Sequence, residues 1–151
     1  MAKVDKIDQN ILSELSKDSS ISIPKLGKKI NVNSSVVYSR IKRLLKNKLI
    51  ERFTIEINNK KLGYGVKSLT GINMDSKQRD NIIQELFKIP GVREVSEVTG
   101  RFDILITMYA ENLSDMYKIV SDNIGKIDGI IGSESFIEMK TRTKQMPYML
   151  E

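Results

Sequence analysis

The stretch ISIPKLGKKINVNSSVVYSRIKRLL, Ile21 to Leu45, decides the fold of this chain. It reads as two short helices joined by a tight turn. Ser22 is placed to cap the first, and Pro24 in the first turn loses no needed hydrogen bond. Leu26 and Ile30 share a face at i, i+4 spacing. Asn31 ends that helix, because Asn tolerates the left-handed backbone of such a turn. Val32 is the lone apolar residue of the turn and is expected to point inward. Asn33 is placed to cap the second helix, in which Val37, Ile41, Leu44 and Leu45 form an apolar stripe. Gly27 sits where a side chain would force the two helices apart.

The opposite face of the second helix carries Ser35, Tyr38, Ser39, Lys42 and Lys46, with Arg40 and Arg43 at its flanks. Hydroxyls and a phenol suit base edges in a major groove, and cations suit phosphates. Ser35, Tyr38 and Ser39 are the candidates for base edges. Arg40, Lys42, Arg43 and Lys46 are the candidates for phosphates, with pairing inside the fold as the other reading of Arg40. Asn33 and Ser34 complete the candidate DNA-facing set. On these residues alone, an ordinary αα-hairpin with a solvated basic face remains the alternative.

Charge distribution bears on that choice. Residues 1–60 hold 13 Lys and Arg against 6 Asp and Glu; residues 61–151 hold 12 against 13. The whole net charge of +6 therefore lies with the helix-turn-helix, as phosphate contacts require. With no Cys and no His in 151 residues, disulfides, thiolate zinc sites and Cys or His catalysis are excluded. No apolar run approaches the length of a membrane span, and no signal-peptide core opens the chain. A cytoplasmic protein with no membrane partner is the expectation.

Working outward, Val4 to Ser16 reads as a helix capped by Asp5, with Ile7, Ile11, Leu12 and Leu15 on one face. It completes a three-helix domain over residues 1–49. IERFTIEI, Ile50 to Ile57, alternates with period two and predicts a strand. NNKKLGYG, Asn58 to Gly65, is rich in turn residues, so 50–65 reads as strand and linker. Residues 66–151 change period. Strands are expected at Val66–Met74, Val92–Val98, Phe102–Tyr109 and Ile130–Met139. Helices are expected at Ser76–Lys88, capped by Ser76, and at Leu113–Lys126. The order βαββαβ is that of a ferredoxin-like sandwich, making the chain α+β. FDILITMY is apolar on both sides, so the sheet face away from the helices calls for a partner copy, and a homodimer is expected.

Four stretches resemble one family. DKIDQNIL at Asp5–Leu12, VYSRIKRL at Val37–Leu44, LIERFT at Leu49–Thr54 and VTGRFDIL at Val98–Leu105 are similar, in order and spacing, to motifs of the Lrp/AsnC family of leucine- and asparagine-responsive transcription regulators. Asn31, Asn33 and Val36 depart from that family's usual Gly, Ser and Pro. The resemblance implies a winged-helix-type DNA-binding domain tethered to a ligand-sensing sandwich that dimerises and assembles further, often to octamers. It also implies a free amino acid bound near the Gly-x-Phe-Asp connection, hence at Thr99, Gly100, Arg101 and Asp103, with Ser133 and Ser135 as weaker candidates. In such a site Gly100 would let backbone N–H groups approach a carboxylate. Asp103 would meet the ligand ammonium, and Arg101 its carboxylate or a group across an interface. Without the resemblance, Thr99–Asp103 reads as a plain hairpin turn.

The sequence thus points to a regulator binding double-stranded DNA under amino-acid control. No cofactor, metal or enzymatic activity is expected: there is no Gly-rich phosphate loop and no convergent carboxylate pair. The rival reading is a stand-alone oligomeric amino-acid-binding module without a specific DNA target.

Overall fold

The structure, a computed structural model, describes residues 4–144. Met1–Lys3 and Gln145–Glu151, assigned above to the ends of the first and last domains, lie outside the described residues. The chain divides into two compact units. Among the described residues, one takes in 4–56 and 142–144; the other is Ile57–Thr141. The division falls inside the segment 50–65.

The first unit is built on three helices: α1 (Lys6–Lys17), α2 (Ile23–Ile30) and α3 (Ser34–Lys46). Asp5 caps α1 in a reciprocal box with Asp8: each carboxylate accepts the other residue's backbone N–H, at 3.0 and 3.2 Å. Ser22 occupies the cap position of α2, but its hydroxyl makes no capping bond, so Pro24 and tertiary packing start that helix. Asn31 ends α2 in the left-handed region, φ 55° and ψ 48°. Asn33 caps α3 through its side-chain oxygen. Ile11, Leu26, Val37, Ile41 and Leu44 are buried in the core, and Val32 packs against them from the turn. Gly27 is needed for a close approach to the turn rather than to the helix beyond it: a Cβ there would lie 2.6 Å from the Val32 carbonyl oxygen.

The expected strand over Ile50–Ile57 does not form. Residues 51–58 are irregular and exposed. Alternation supplies the propensity, but a strand exists only when its backbone groups are paired, and no neighbouring strand offers them a partner among the described residues.

The second unit is a four-stranded antiparallel sheet with helices on one face. Its strands are β1 (Val66–Met74), β2 (Val92–Glu97), β3 (Ile104–Ala110) and β4 (Ile130–Ile137), in spatial order β2-β3-β1-β4. The helix after β1 begins with a 3₁₀ turn at Ser76–Gln78 capped by Asp75, not Ser76, and continues as α4 (Arg79–Lys88). The second is α-helical only over α5 (Leu113–Lys118). It continues through a π turn, Ile119–Asn123, and a 3₁₀ turn, Ile124–Lys126. Ile72 and Met74 of β1, Ile104, Ile106 and Met108 of β3, Ile82 and Leu86 of α4 and Met116 of α5 form the core. A bulge between Val92 and Glu94 puts Val92 and Val95, three apart, on one side of the sheet.

The opposite face carries Leu69 and Phe136, both exposed, and Leu105, Thr107 and Tyr109, all half-buried. Gly71 lies among them. A Cβ on it would meet the Phe102 ring at 2.4 Å, so the missing side chain lets Phe102 lie flat on the sheet.

Candidate functional site

Two sets of residues were singled out from the sequence, and they lie in different units. The first is the outer face of α3. Burial of Val37, Ile41 and Leu44 turns Ser35, Tyr38, Ser39, Lys42 and Lys46 to solvent, where all five are exposed. The Ser35 hydroxyl and its backbone N–H both donate to the Asn33 side-chain oxygen at 2.9 Å. Asn33 keeps its amide N–H groups as donors, while Ser35, its proton committed, offers acceptor lone pairs. The Lys42 ammonium sits 4.7 Å from the centre of the Tyr38 ring, a cation–π contact that sets the lysine stem along the helix surface. Ser34 lies against the position of Gly27 and is half-buried, so it faces the turn more than the groove.

Arg40 and Arg43 are placed otherwise. Arg40 pairs with Asp5 and, at 3.3 Å, with Asp8; Arg43 pairs with Asp8. For Arg40 this is the pairing inside the fold given above as its other reading. For Arg43, expected among the phosphate ligands, it adds a carboxylate partner inside the fold. The cause is the position of α1, whose first turn brings two carboxylates against the flank of α3. The Asp8 N–H first, and Arg40 after it, hold the Asp5 carboxyl below the usual carboxylate range. Its hydrogen bond to Asp5 in turn raises Arg40. The sequence reading missed Asp5 and Asp8 as arginine partners. The available signal was two acids at i, i+3 in the first turn of a helix, beyond what one cap requires.

The second set is the connection between β2 and β3. The N–H of Val98 donates to the Asp103 carbonyl at 3.0 Å and closes the loop. Gly100 has φ 133°, in the region that favours glycine, with no neighbour near its absent Cβ; the backbone conformation alone asks for it. Thr99, Gly100 and Arg101 are exposed. The Arg101 guanidinium pairs with Glu134 of β4 at 2.7 Å and lies 5.3 Å from the Phe102 ring centre. Asp103 is half-buried, and one of its carboxylate oxygens accepts the Met74 N–H at 3.0 Å. It thus already serves the end of β1.

The two serines do not join this loop. Pairing puts Ser133 opposite Ile72 and Ser135 opposite Thr70, on the helix side of the sheet, and Ser135 bonds the Thr70 hydroxyl at 2.8 Å. Glu134, between them and opposite Gly71, is the β4 residue that reaches the loop, and nothing in its sequence context signals this. No group of acidic side chains among the described residues is arranged to hold a metal.

A family model of the AsnC-type helix-turn-helix domain matches residues 4–45. A second, of the Lrp/AsnC ligand binding domain, matches residues 68–148, more than half of the chain.

This chain belongs to the Lrp/AsnC family.

Among its relatives, an HTH-type transcriptional regulator of Pyrococcus furiosus is 36% identical over 143 residues, spanning 91% of this chain and 95% of its own. The HTH-type transcriptional regulator LrpA of Pyrococcus horikoshii is 34% identical, over 84% of this chain and 90% of its own. Solved structures with the same fold include Escherichia coli AsnC (TM-score 0.86, 23% identity, 95% and 97% of the two chains). A Neisseria meningitidis transcriptional regulator, solved as a complex with L-Met, superposes with TM-score 0.89 at 17% identity over 97% of each chain. The Lrp/AsnC family is one of transcription regulators, not enzymes. In this member the two family domains are the helical unit and the sandwich described above.

Proposed function

We propose that this Lrp/AsnC protein is a sequence-specific DNA-binding transcription regulator whose assembly or DNA affinity responds to a free amino acid. The observation that carries the first half is the outer face of α3: hydroxyls, a phenol and two lysines, all exposed, on a helix held by a buried apolar stripe. Ser35, Tyr38 and Ser39 read base edges, Asn33 and Ser34 support the helix start, and Lys42 and Lys46 take phosphates. Ser35, as an acceptor, suits the amino group of adenine or cytosine.

The second half rests on the family and on the loop Val98–Asp103. The Neisseria protein and a feast or famine regulatory protein of Mycobacterium tuberculosis were each solved with L-methionine. Thr99, Gly100, Arg101 and Asp103 are the proposed effector residues here, with Ser133 and Ser135 as peripheral candidates on the other side of the sheet. A ligand carboxylate would compete with Glu134 for Arg101, and its ammonium would share Asp103 with the Met74 N–H. The partly exposed apolar sheet face of Leu69, Leu105 and Phe136 supports a homodimer, the unit from which an octamer would assemble. No helix among the described residues is long and apolar enough to cross a membrane, and a cytoplasmic location is proposed.

Two experiments test this reading. Footprinting on DNA upstream of the protein's own gene should give protected half-sites about 34–36 Å, one helical turn, apart. Absence of any protected site would remove the DNA half. A thermal-shift screen of the twenty amino acids should find a ligand that raises the melting temperature by mass action. A flat screen would remove the effector half.

A further inference from the structure

The helical unit contains a fully buried carboxylate. Asp8 has no exposed surface, and both its oxygens are engaged. One accepts the Asp5 N–H and pairs with Arg43; the other accepts from Arg40 at 3.3 Å. The two arginines are on the very helix that faces DNA. Arg40 has a side chain 22% exposed and Arg43 44%, against zero for Asp8.

That asymmetry decides who holds whom. A guanidinium at the surface regains water when it lets go. A buried carboxylate regains nothing, and leaving it with fewer partners is costly. A DNA phosphate would therefore have to outcompete a carboxylate that cannot be resolvated. Asp5 adds a second charge to Arg40 and, through the reciprocal cap, fixes Asp8 itself. Two of the four cations on and beside the outer face of α3 are thus tied to α1, and the link sets the angle of α3 against α1.

We infer that Asp8 is a positioning residue for DNA recognition: it withdraws Arg40 and Arg43 from the phosphate contacts and uses them to hold α3 in its reading position, leaving Lys42 and Lys46 as the helix's phosphate ligands. The inference rests on the reading that α3 faces DNA. It goes further in predicting that two cations of the recognition helix do not count toward the electrostatics of binding.

The test is the slope of log K against log salt, measured by fluorescence anisotropy of the full-length chain on a random-sequence duplex. Each phosphate contact contributes about 0.9 to that slope. For each protomer on the DNA, Lys42→Ala should flatten it by about 0.9, twice that for a bound dimer, and Arg43→Gln should leave it unchanged. Asp8→Asn should steepen it by about 0.9 for each arginine released, about 1.8 per protomer at most. Adding Arg43→Gln to Asp8→Asn should take about 0.9 per protomer back. A role confined to stability would shift affinity without these changes of slope. Arg43→Gln alone flattening the slope as much as Lys42→Ala would overturn the inference, as would an unchanged slope in a folded Asp8→Asn variant. Should Asp8→Asn lose the helical circular dichroism of the unit, the Lys42→Ala and Arg43→Gln pair decides by itself. Wild-type protein that shows no salt-dependent binding would instead remove the DNA reading underneath.

Discussion

Leu26→Ala should unfold the helical unit and leave the sandwich folded. Leu26 has no exposed surface and lies in a core of only five buried residues, with Ile11, Val37, Ile41 and Leu44. Deleting a fully buried Leu side chain costs about 2.7–5.0 kcal/mol, toward the upper end where surroundings cannot collapse. Helix α2 is a poor candidate for collapse, because Gly27 already brings it against the Val32 carbonyl. At roughly 0.05–0.15 kcal/mol per residue, the ~55 residues of this unit supply only about 3 to 8 kcal/mol in all. One substitution therefore removes most of that stability. The sandwich core is a separate set of residues around Ile72, Ile104 and Leu86 and loses no contact. The assay is hydrogen exchange followed by mass spectrometry, alongside a circular-dichroism melt. Amides of α1–α3 should lose protection at room temperature while those of β1 and β3 keep theirs, and duplex DNA binding should disappear. Loss of protection in β1 and β3 together with the helices, or DNA affinity within twofold of wild type, would refute the reasoning.

Other expectations follow from the same geometry. Gly27→Ala should destabilise the helical unit by about 1–3 kcal/mol through overpacking against backbone, outweighing the ~1 kcal/mol by which Ala favours a helix; a raised melting temperature would contradict it. Acid should weaken the same unit. Asp5 is held below its ordinary value, so its contribution is complete above about pH 4 and is lost as pH falls through the folded value. Asp5→Asn should show a shallower loss of melting temperature between neutral and acid pH, and an unchanged acid profile would count against the pairing. Asp103→Asn keeps an acceptor for the Met74 N–H but drops the charge, so the fold should survive while stabilisation by an amino acid is lost. Retained stabilisation would remove Asp103 from the site.

The parts legible in the sequence were those in which one segment carries its own signal. The stripe Val37, Ile41, Leu44 placed α3 correctly, and the left-handed tolerance of Asn31 marked the turn. FDILITMY announced a strand apolar on both faces, and β3 has Ile104, Ile106 and Met108 buried with Leu105, Thr107 and Tyr109 on the other side. What stays illegible is whatever depends on a partner that is distant or absent. Ile50–Ile57 has a strand's alternation but no neighbour to pair with. The pairing of Arg43 is invisible in the sequence because its carboxylate lies 35 residues away on another helix. Ser133 and Ser135 come from the resemblance alone, and only the register against Thr70 and Ile72 shows that Glu134, between them, faces the loop. The spacing of Val92 and Val95 is wrong for an ideal strand and was the one visible trace of the bulge.

The central claim is that the cations of the helical unit serve a DNA backbone. Its most direct test is the affinity of the full-length protein for duplex DNA across a salt series. Binding should weaken steadily with salt, by about 0.9 in slope for every phosphate engaged. Affinity indifferent to salt, or no binding even at low salt, would contradict it.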